Sequence, residues 1–161
     1  MILIALGANL PGSFGPPQAM LEAALARLPE IGVRVLTRSP WYLTAPVPVS
    51  DQPDYVNGVA RVETALDAAA TLAALHRIEA EFGRVRTVTN APRAIDLDLI
   101  AYHDTVRADA PVLPHPRMHE RAFVLVPLAD VAPGWVHPVL GKDVAALIAA
   151  LPPGQGIHRA E

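Results

Sequence analysis

Residues 95–100, Ile-Asp-Leu-Asp-Leu-Ile, constrain the fold more tightly than any other stretch of the chain. Acidic and aliphatic residues alternate there with the period of a β-strand. Asp96 and Asp98 therefore project from one face, and Ile95, Leu97 and Leu99 from the other. The aliphatic face needs a core to pack against. The acidic face holds two carboxylates that repel each other and lose hydration, a cost that folding seldom offsets without a cation. A divalent metal resolves that conflict. Directly upstream, GRVRTVTNAPR at 83–93 supplies Arg84, Arg86 and Arg93 in a segment whose Gly, Pro and Asn predict an irregular, mobile loop. Acids suited to a metal thus stand beside arginines suited to phosphate.

A chain of 161 residues fits a single domain, spanning 1–161, with a core large enough to need no staples. With no cysteine, disulfides and thiolate chemistry are excluded, any metal must be held by oxygen or nitrogen, and a cytoplasmic location is expected. A formal net charge of −3 opposes broad electrostatic binding of nucleic acid and leaves the basic segment 84–93 as a local feature. The N-terminal MILIALGANLPGS is apolar for only a few residues and lacks a positive flank, so it reads as a buried strand and not as a signal peptide. No apolar run approaches the length needed to span a membrane.

Residues 2–8 predict a first strand, ended by Gly7 and Asn9, and Met20, Leu21, Ala24, Leu25 and Leu28 predict the buried stripe of a helix. Residues 33–45, rich in β-branched and aromatic side chains, predict a second strand followed by the proline-rich loop PVPVSDQPD. From Tyr55 to Glu63 the parity of Val56, Ala60 and Val62 gives a core face, and that of Tyr55, Asn57, Arg61 and Glu63 a working face. Asp67 is placed to cap a helix with Leu72, Leu75, Ile78 and Phe82 as its buried stripe, and Gly83 to stop it. The order β-α-β-β-α-β to residue 103 predicts an α+β fold, an antiparallel sheet with two helices on one face in the ferredoxin-like arrangement. A C-terminal helical extension follows, with helices near 119–129 and 143–151 and no internal repeat.

Two strand carboxylates suit magnesium, which prefers carboxylate oxygens and substrate phosphates and keeps water; calcium needs more protein oxygens than this motif offers. An acidic edge strand is the alternative reading of Asp96 and Asp98. Arg84 and Arg86 have two readings, ion pairs with Glu79 and Glu81 or phosphate ligands, and the planar guanidinium fork suits Arg84 and Arg93 to the second. Tyr55 offers a ring for stacking and Asn57 an amide that both donates and accepts at a heterocycle edge, although such a pair also arises on an ordinary sheet surface. His115, between Pro114 and Pro116, is set in an extended approach to a helix starting near Pro116. With His119 it forms HPRMH, whose spacing suits two zinc ligands on one helical face, but no third ligand follows; donation to a phosphate or hydroxyl fits His115 better. The chain has no GxxxxGK[ST], no GxGxxG after a strand and no GxSxG, so a nucleotide would be held without a Walker-type cradle.

LGANL at 6–10, DQPDYVNGV at 51–59, GRVR with APRAIDLDLI at 83–100, and PHPRMHERAFVLVPL at 114–128 together resemble the 6-hydroxymethyl-7,8-dihydropterin pyrophosphokinase family, in order and over nearly the whole chain. The resemblance implies an ATP-dependent diphosphotransferase of folate biosynthesis that moves the pyrophosphoryl group of ATP to the pterin hydroxymethyl oxygen and releases AMP. It implies that Asp96 and Asp98 hold two magnesium ions, and that Arg84, Arg93, Asp96 and Asp98 carry catalysis. The pterin would stack between Tyr55 and Phe123, with Asn57, Thr44, Ala45 and Val47 reading its edge. ATP would meet Arg84, Arg86, Arg93, Ile100, His115 and Arg121, and His76 and Glu79 from the preceding helix. A monomer acting on small molecules, with no nucleic acid or membrane partner, is the family expectation. The chain departs from the pattern at Asn90 and Ala91, where bacterial members commonly carry an aromatic and a glycine, and in LGAN, where many have LGSN. Three competing readings are an RNA-recognition module of the same strand order, a homologue that binds without transfer, and a metal-dependent phosphohydrolase. The acidic sheet face opposes the first. For the second, loss of an acid or arginine would be the mark, and all are present. A pterin-omission assay separates the third.

Overall fold

The computed structural model describes residues 1–45, 53–83 and 95–160. Its strands form one antiparallel sheet in the order β5-β1-β4-β3-β6, with β2 also paired to β4. These are β1 (Ile2–Ala8), β2 (Val33–Arg38), β3 (Tyr42–Thr44), β4 (Tyr55–Thr64), β5 (Asp96–Tyr102) and β6 (Ile157–Arg159). The helices are α1 (Pro17–Arg27), α2 (Ala68–Glu81), α3 (Ala122–Val131) and α4 (Val144–Ala149).

β1 lies between β5 and β4 and is buried at every residue, which is why it is apolar without alternation. Ile2, Ile4, Leu6 and Ala8 join a core with Met20, Leu21, Ala24 and Leu25 of α1 and Leu75 and Ile78 of α2. Leu3 and Ala5 enter a second core with Val59, Ile100, Val124, Leu125 and Leu128 of α3, and Leu147 of α4. The sheet is therefore covered on both faces. The face of β4 expected to be a working face, that of Tyr55, Asn57, Arg61 and Glu63, is buried at Asn57 and Val59 beneath this second layer, while Tyr55 and Arg61 are half-buried and Glu63 exposed. The physical reason is that α3 is itself strongly apolar and must bury its surface on something.

α2 follows its sequence signals closely. The Asp67 carboxylate accepts from the Ala70 N–H at 2.8 Å, and Gly83 takes φ +96, a conformation glycine adopts without strain. The strand expected over 33–45 is instead two strands. Pro40 has no N–H for the ladder, and Ser39 replaces the lost pairing: its own N–H bonds the Val59 carbonyl at 2.9 Å while its hydroxyl accepts from the Val59 N–H at 3.0 Å. Trp41 then folds over Gly58, where a Cβ would come within 2.7 Å of the indole ring. Gly7, expected to end the first strand, lies inside it. The helix expected to begin near Pro116 does not: a 3-10 turn at Met118–Glu120 and an extended Arg121 (φ −118, ψ 113) precede α3. β6 has no counterpart among the sequence expectations.

Candidate active site

The pairing of β5 with β1 places Asp96 opposite Gly7 and Asp98 opposite Ala5; the pairing of β1 with β4 places Gly7 opposite Asn57; β3 adds Tyr42 opposite Asn57. Residues directly opposite in a ladder project from the same face. Asp96, Gly7, Asn57 and Tyr42 therefore form one row across the sheet, on the face that also carries α3. With strands near 4.8 Å apart, Asp96 and Asn57 stand on backbones about 10 Å apart, a span suited to a small heterocycle with a reactive arm.

Gly7 is the space that makes the row work. A Cβ at Gly7 would lie 2.7 Å from Asn57 Oδ1, so the buried amide lies across a position with no side chain. Asn57 Nδ2 donates to Thr44 Oγ1 at 2.7 Å, and Thr44 is itself paired with Tyr55 across β3 and β4. Thr44, Tyr55 and Asn57 are thus brought together, with both polar groups buried and the Tyr55 ring half-exposed. Ala45 follows at the exposed end of β3. Phe123, half-buried in the first turn of α3, packs against the second core, and the Arg121 guanidinium carbon lies 5.3 Å from its ring centroid.

On the acidic side, Asp96 and Asp98 are half-buried on the predicted common face, while Leu97 and Leu99 are in the first core. β5 is the edge strand, so its outward N–H groups need partners outside the sheet. Glu79, on α2 and only 1% exposed, supplies one: its carboxylate accepts from the Leu97 N–H at 2.9 Å, between the two aspartates. His76 lies half-buried one turn earlier on α2. Glu81 forms a two-point pair with Arg27 at 2.9 and 3.0 Å, so that carboxylate already has a cationic partner.

The pairing of β5 with β1 shifts register between Leu3 and Ile4, and Ile100 has no partner residue there. Its side chain is in the second core and its carbonyl accepts from the His115 N–H at 2.9 Å, which fastens the 115 segment to the acidic strand. Burial holds the His115 pKa below the ordinary histidine range; Asp98 opposes that shift, and Arg121 and Arg117 reinforce it. His115 thus belongs electrostatically with Asp98 and Arg121. Arg84, Arg86, Arg93 and Val47 lie outside the described residues.

His119 does not complete a metal site with His115. It stands edge-to-face with buried His137 at 6.0 Å between centroids, and no cluster of three or more His, Asp or Glu suited to a metal occurs among the described residues. His137 Nδ1 accepts from the N–H groups of Val139 and Leu140 at 3.2 and 3.1 Å, which requires it unprotonated. Burial and then the His119 charge lower its pKa from 6.5. A base whose folded pKa is depressed contributes stability above its unfolded value, and loses it as pH falls through the folded value. Melting temperature therefore drops between pH 7 and 5 more steeply for the wild type than for His137→Asn. Parallel slopes in the two proteins would rule this out.

The sequence reading missed three contributors. Tyr42 donates to Asp130 Oδ2 at 2.5 Å and ties β3 to α3, Gly7 clears the space for Asn57, and Gln155 contacts the start of α3. Only Gly7, in LGAN, carried any local signal.

The profile of the 7,8-dihydro-6-hydroxymethylpterin-pyrophosphokinase family matches residues 3–133. A 2-amino-4-hydroxy-6-hydroxymethyldihydropteridine pyrophosphokinase of Pseudomonas aeruginosa is 42% identical over 98% of this chain and 95% of its own length. The protein of the same description from Synechocystis sp. is 42% identical over 87% of this chain and 72% of its own. The folic acid synthesis protein fol1 of Schizosaccharomyces pombe is 38% identical over 96% of the chain, which spans only 21% of that longer protein. Among solved structures, a triple-mutant HPPK-DHPS of Plasmodium falciparum superposes with a TM-score of 0.70 at 14% identity, over 92% of this chain and 43% of that one, a likeness of fold.

Proposed function

The chain belongs to the 7,8-dihydro-6-hydroxymethylpterin-pyrophosphokinase family, and from that premise we propose that it transfers the pyrophosphoryl group of ATP, as one unit, to 6-hydroxymethyl-7,8-dihydropterin in folate synthesis. The observation that carries this reading is the shared row: a carboxylate pair at one end and a buried Asn57–Thr44 amide–hydroxyl pair at the other, separated by Gly7 on one sheet face. Taking β2 and β3, which both pair with β4, as one interrupted strand, we read the β-α-β-β-α-β order as ferredoxin-like, with the segment after β5 as its C-terminal extension within a single domain over 1–161.

The pterin hydroxymethyl oxygen attacks the β-phosphorus, its proton passes to solvent, and the bond from that phosphorus to the α,β-bridging oxygen breaks to release AMP. Asn57 and Thr44 offer donor and acceptor to the ring edge, continued by Ala45 and Val47, and Tyr55 and Phe123 supply aromatic faces. Arg121, His115 and His76 contact ATP on the α3 and α2 sides, with the backbone of Ile100. Glu79 holds the strand between the aspartates. Arg84, Arg86 and Arg93 bind phosphate. Two half-buried carboxylates with no third acidic or histidine ligand among the described residues fit magnesium, which completes its shell with water and phosphate oxygens. Two such ions on Asp96 and Asp98 would neutralise phosphate charge and polarise the attacking hydroxyl. We read the enzyme as a cytoplasmic monomer without nucleic-acid partners; no helix among the described residues is long and apolar enough to cross a membrane.

The test is incubation with ATP, magnesium and 6-hydroxymethyl-7,8-dihydropterin, each omitted in turn. Pterin-dependent AMP supports the reading. ADP or phosphate without pterin points to a hydrolase, and binding without turnover to a non-catalytic homologue. In the same assay Arg84→Ala slows transfer about 100-fold, within the range for lost transition-state charge stabilisation, while ATP affinity stays within a few fold of wild type. A large loss of ATP affinity with unchanged turnover would instead make Arg84 a ground-state ligand.

A further inference from the structure

We propose that Gln155, from the C-terminal segment, is a positioning residue for Arg121 and Phe123; this rests on the reading of those two as ATP and pterin contacts. The Gln155 amide brackets Arg121. Its Oε1 accepts from the Ala122 N–H at 2.9 Å and its Nε2 donates to the Glu120 carbonyl at 2.8 Å, with a longer approach to the Pro152 carbonyl at 3.5 Å. Both peptide groups flanking Arg121 are therefore held by one planar side chain, delivered by a turn in which Gly154 takes φ +89.

A helix start normally carries Ser, Thr, Asp or Asn, whose side chain accepts from a first-turn N–H. α3 has Arg121 at that position, with no side-chain cap of its own. A guanidinium has no acceptor, and its charge opposes the positive end of the helix dipole. Arg121 thus violates two local preferences at once, and such violations concentrate at functional sites. Its guanidinium leans over Phe123, two residues on, so any rotation of the 120–122 backbone moves both side chains together. The missing cap is supplied across 33 residues of sequence by Gln155.

The experiment is a double-mutant cycle on the full chain with Gln155→Met, of similar length but without either hydrogen bond, and Arg121→Ala. The readouts are kcat and KM for ATP and for the pterin, and ATP and pterin binding by calorimetry. Gln155→Met is expected to lower kcat/KM about tenfold for both substrates, the scale of one or two lost hydrogen bonds. In the Arg121→Ala background the same change costs ATP binding less than about twofold, because its effect runs through Arg121. Additive losses, or unchanged kcat/KM in the folded Gln155→Met protein, overturn the proposal. If Gln155→Met does not fold, the cycle is run with Gln155→Glu, which keeps the acceptor for Ala122 but sets a carboxylate oxygen against the Glu120 carbonyl, and the same criteria apply. A wild type that binds ATP and pterin without making AMP fails the proposed function alone, and calorimetry still decides the role of Gln155. A wild type that binds neither overturns both.

Discussion

Asp98→Ala lowers pterin-dependent AMP formation by about three orders of magnitude or more, the scale of losing a metal ligand that contributes several kcal/mol of charge stabilisation in the transition state. Asp98 is half-buried opposite Ala5, on the face of β5 that looks toward α3, and its charge acts on His115. The isosteric Asp98→Asn keeps the packing and one oxygen but removes the negative charge, so it is expected to fail nearly as badly. A volume effect would spare Asn and a charge effect would not. Magnesium titrations of initial rate in the three proteins, with circular dichroism to show that each is folded, make the check. Magnesium-dependent turnover retained in Asp98→Ala would refute the metal assignment.

Gly7→Ala acts on the other end of the row. The added methyl would lie 2.7 Å from Asn57 Oδ1, and Asn57 is buried with its Nδ2 committed to Thr44. Either β1 and β4 part, or the amide rotates away from Thr44. Overpacking of this kind costs about 1–3 kcal/mol, and for a chain of this size each kcal/mol lowers the melting temperature by roughly 2–4 °C. The pterin KM is expected to rise at least tenfold, because a displaced amide leaves buried polar atoms unpaired, while the KM for ATP changes little. An unchanged pterin KM would show that Asn57 does not read the ring edge.

These two substitutions differ in how far the sequence alone reaches. The Asp96/Asp98 pair was legible because alternation within one strand settles which side chains share a face, and that is local geometry. The limits of α2 were legible for the same reason: Asp67 and Gly83 act on backbone groups within a few residues. The break at Pro40 was in the sequence too, but whether it would end a strand depended on Ser39 finding Val59 as a substitute partner. The role of Gly7 was not legible, because a glycine in an apolar run reads as an end until the register against β4 puts Asn57 opposite it. The family resemblance turns Glu79 toward a nucleotide, whereas its burial against the Leu97 N–H follows from β5 being the sheet edge.

The sequence by itself determined the chemistry available here: a carboxylate pair on one strand face, an amide and a ring on another, arginines just before the acids, and the ordered motifs that mark the family. These are patterns of short range, where backbone periodicity leaves little freedom. Tertiary structure alone decided how they meet. Strand register aligned Asp96, Gly7 and Asn57, a second apolar layer covered the middle of the working face, and β6 brought the C-terminal segment back beside β3. No local pattern encodes those pairings, because each depends on groups dozens of residues apart whose contact is settled only when both cores are packed.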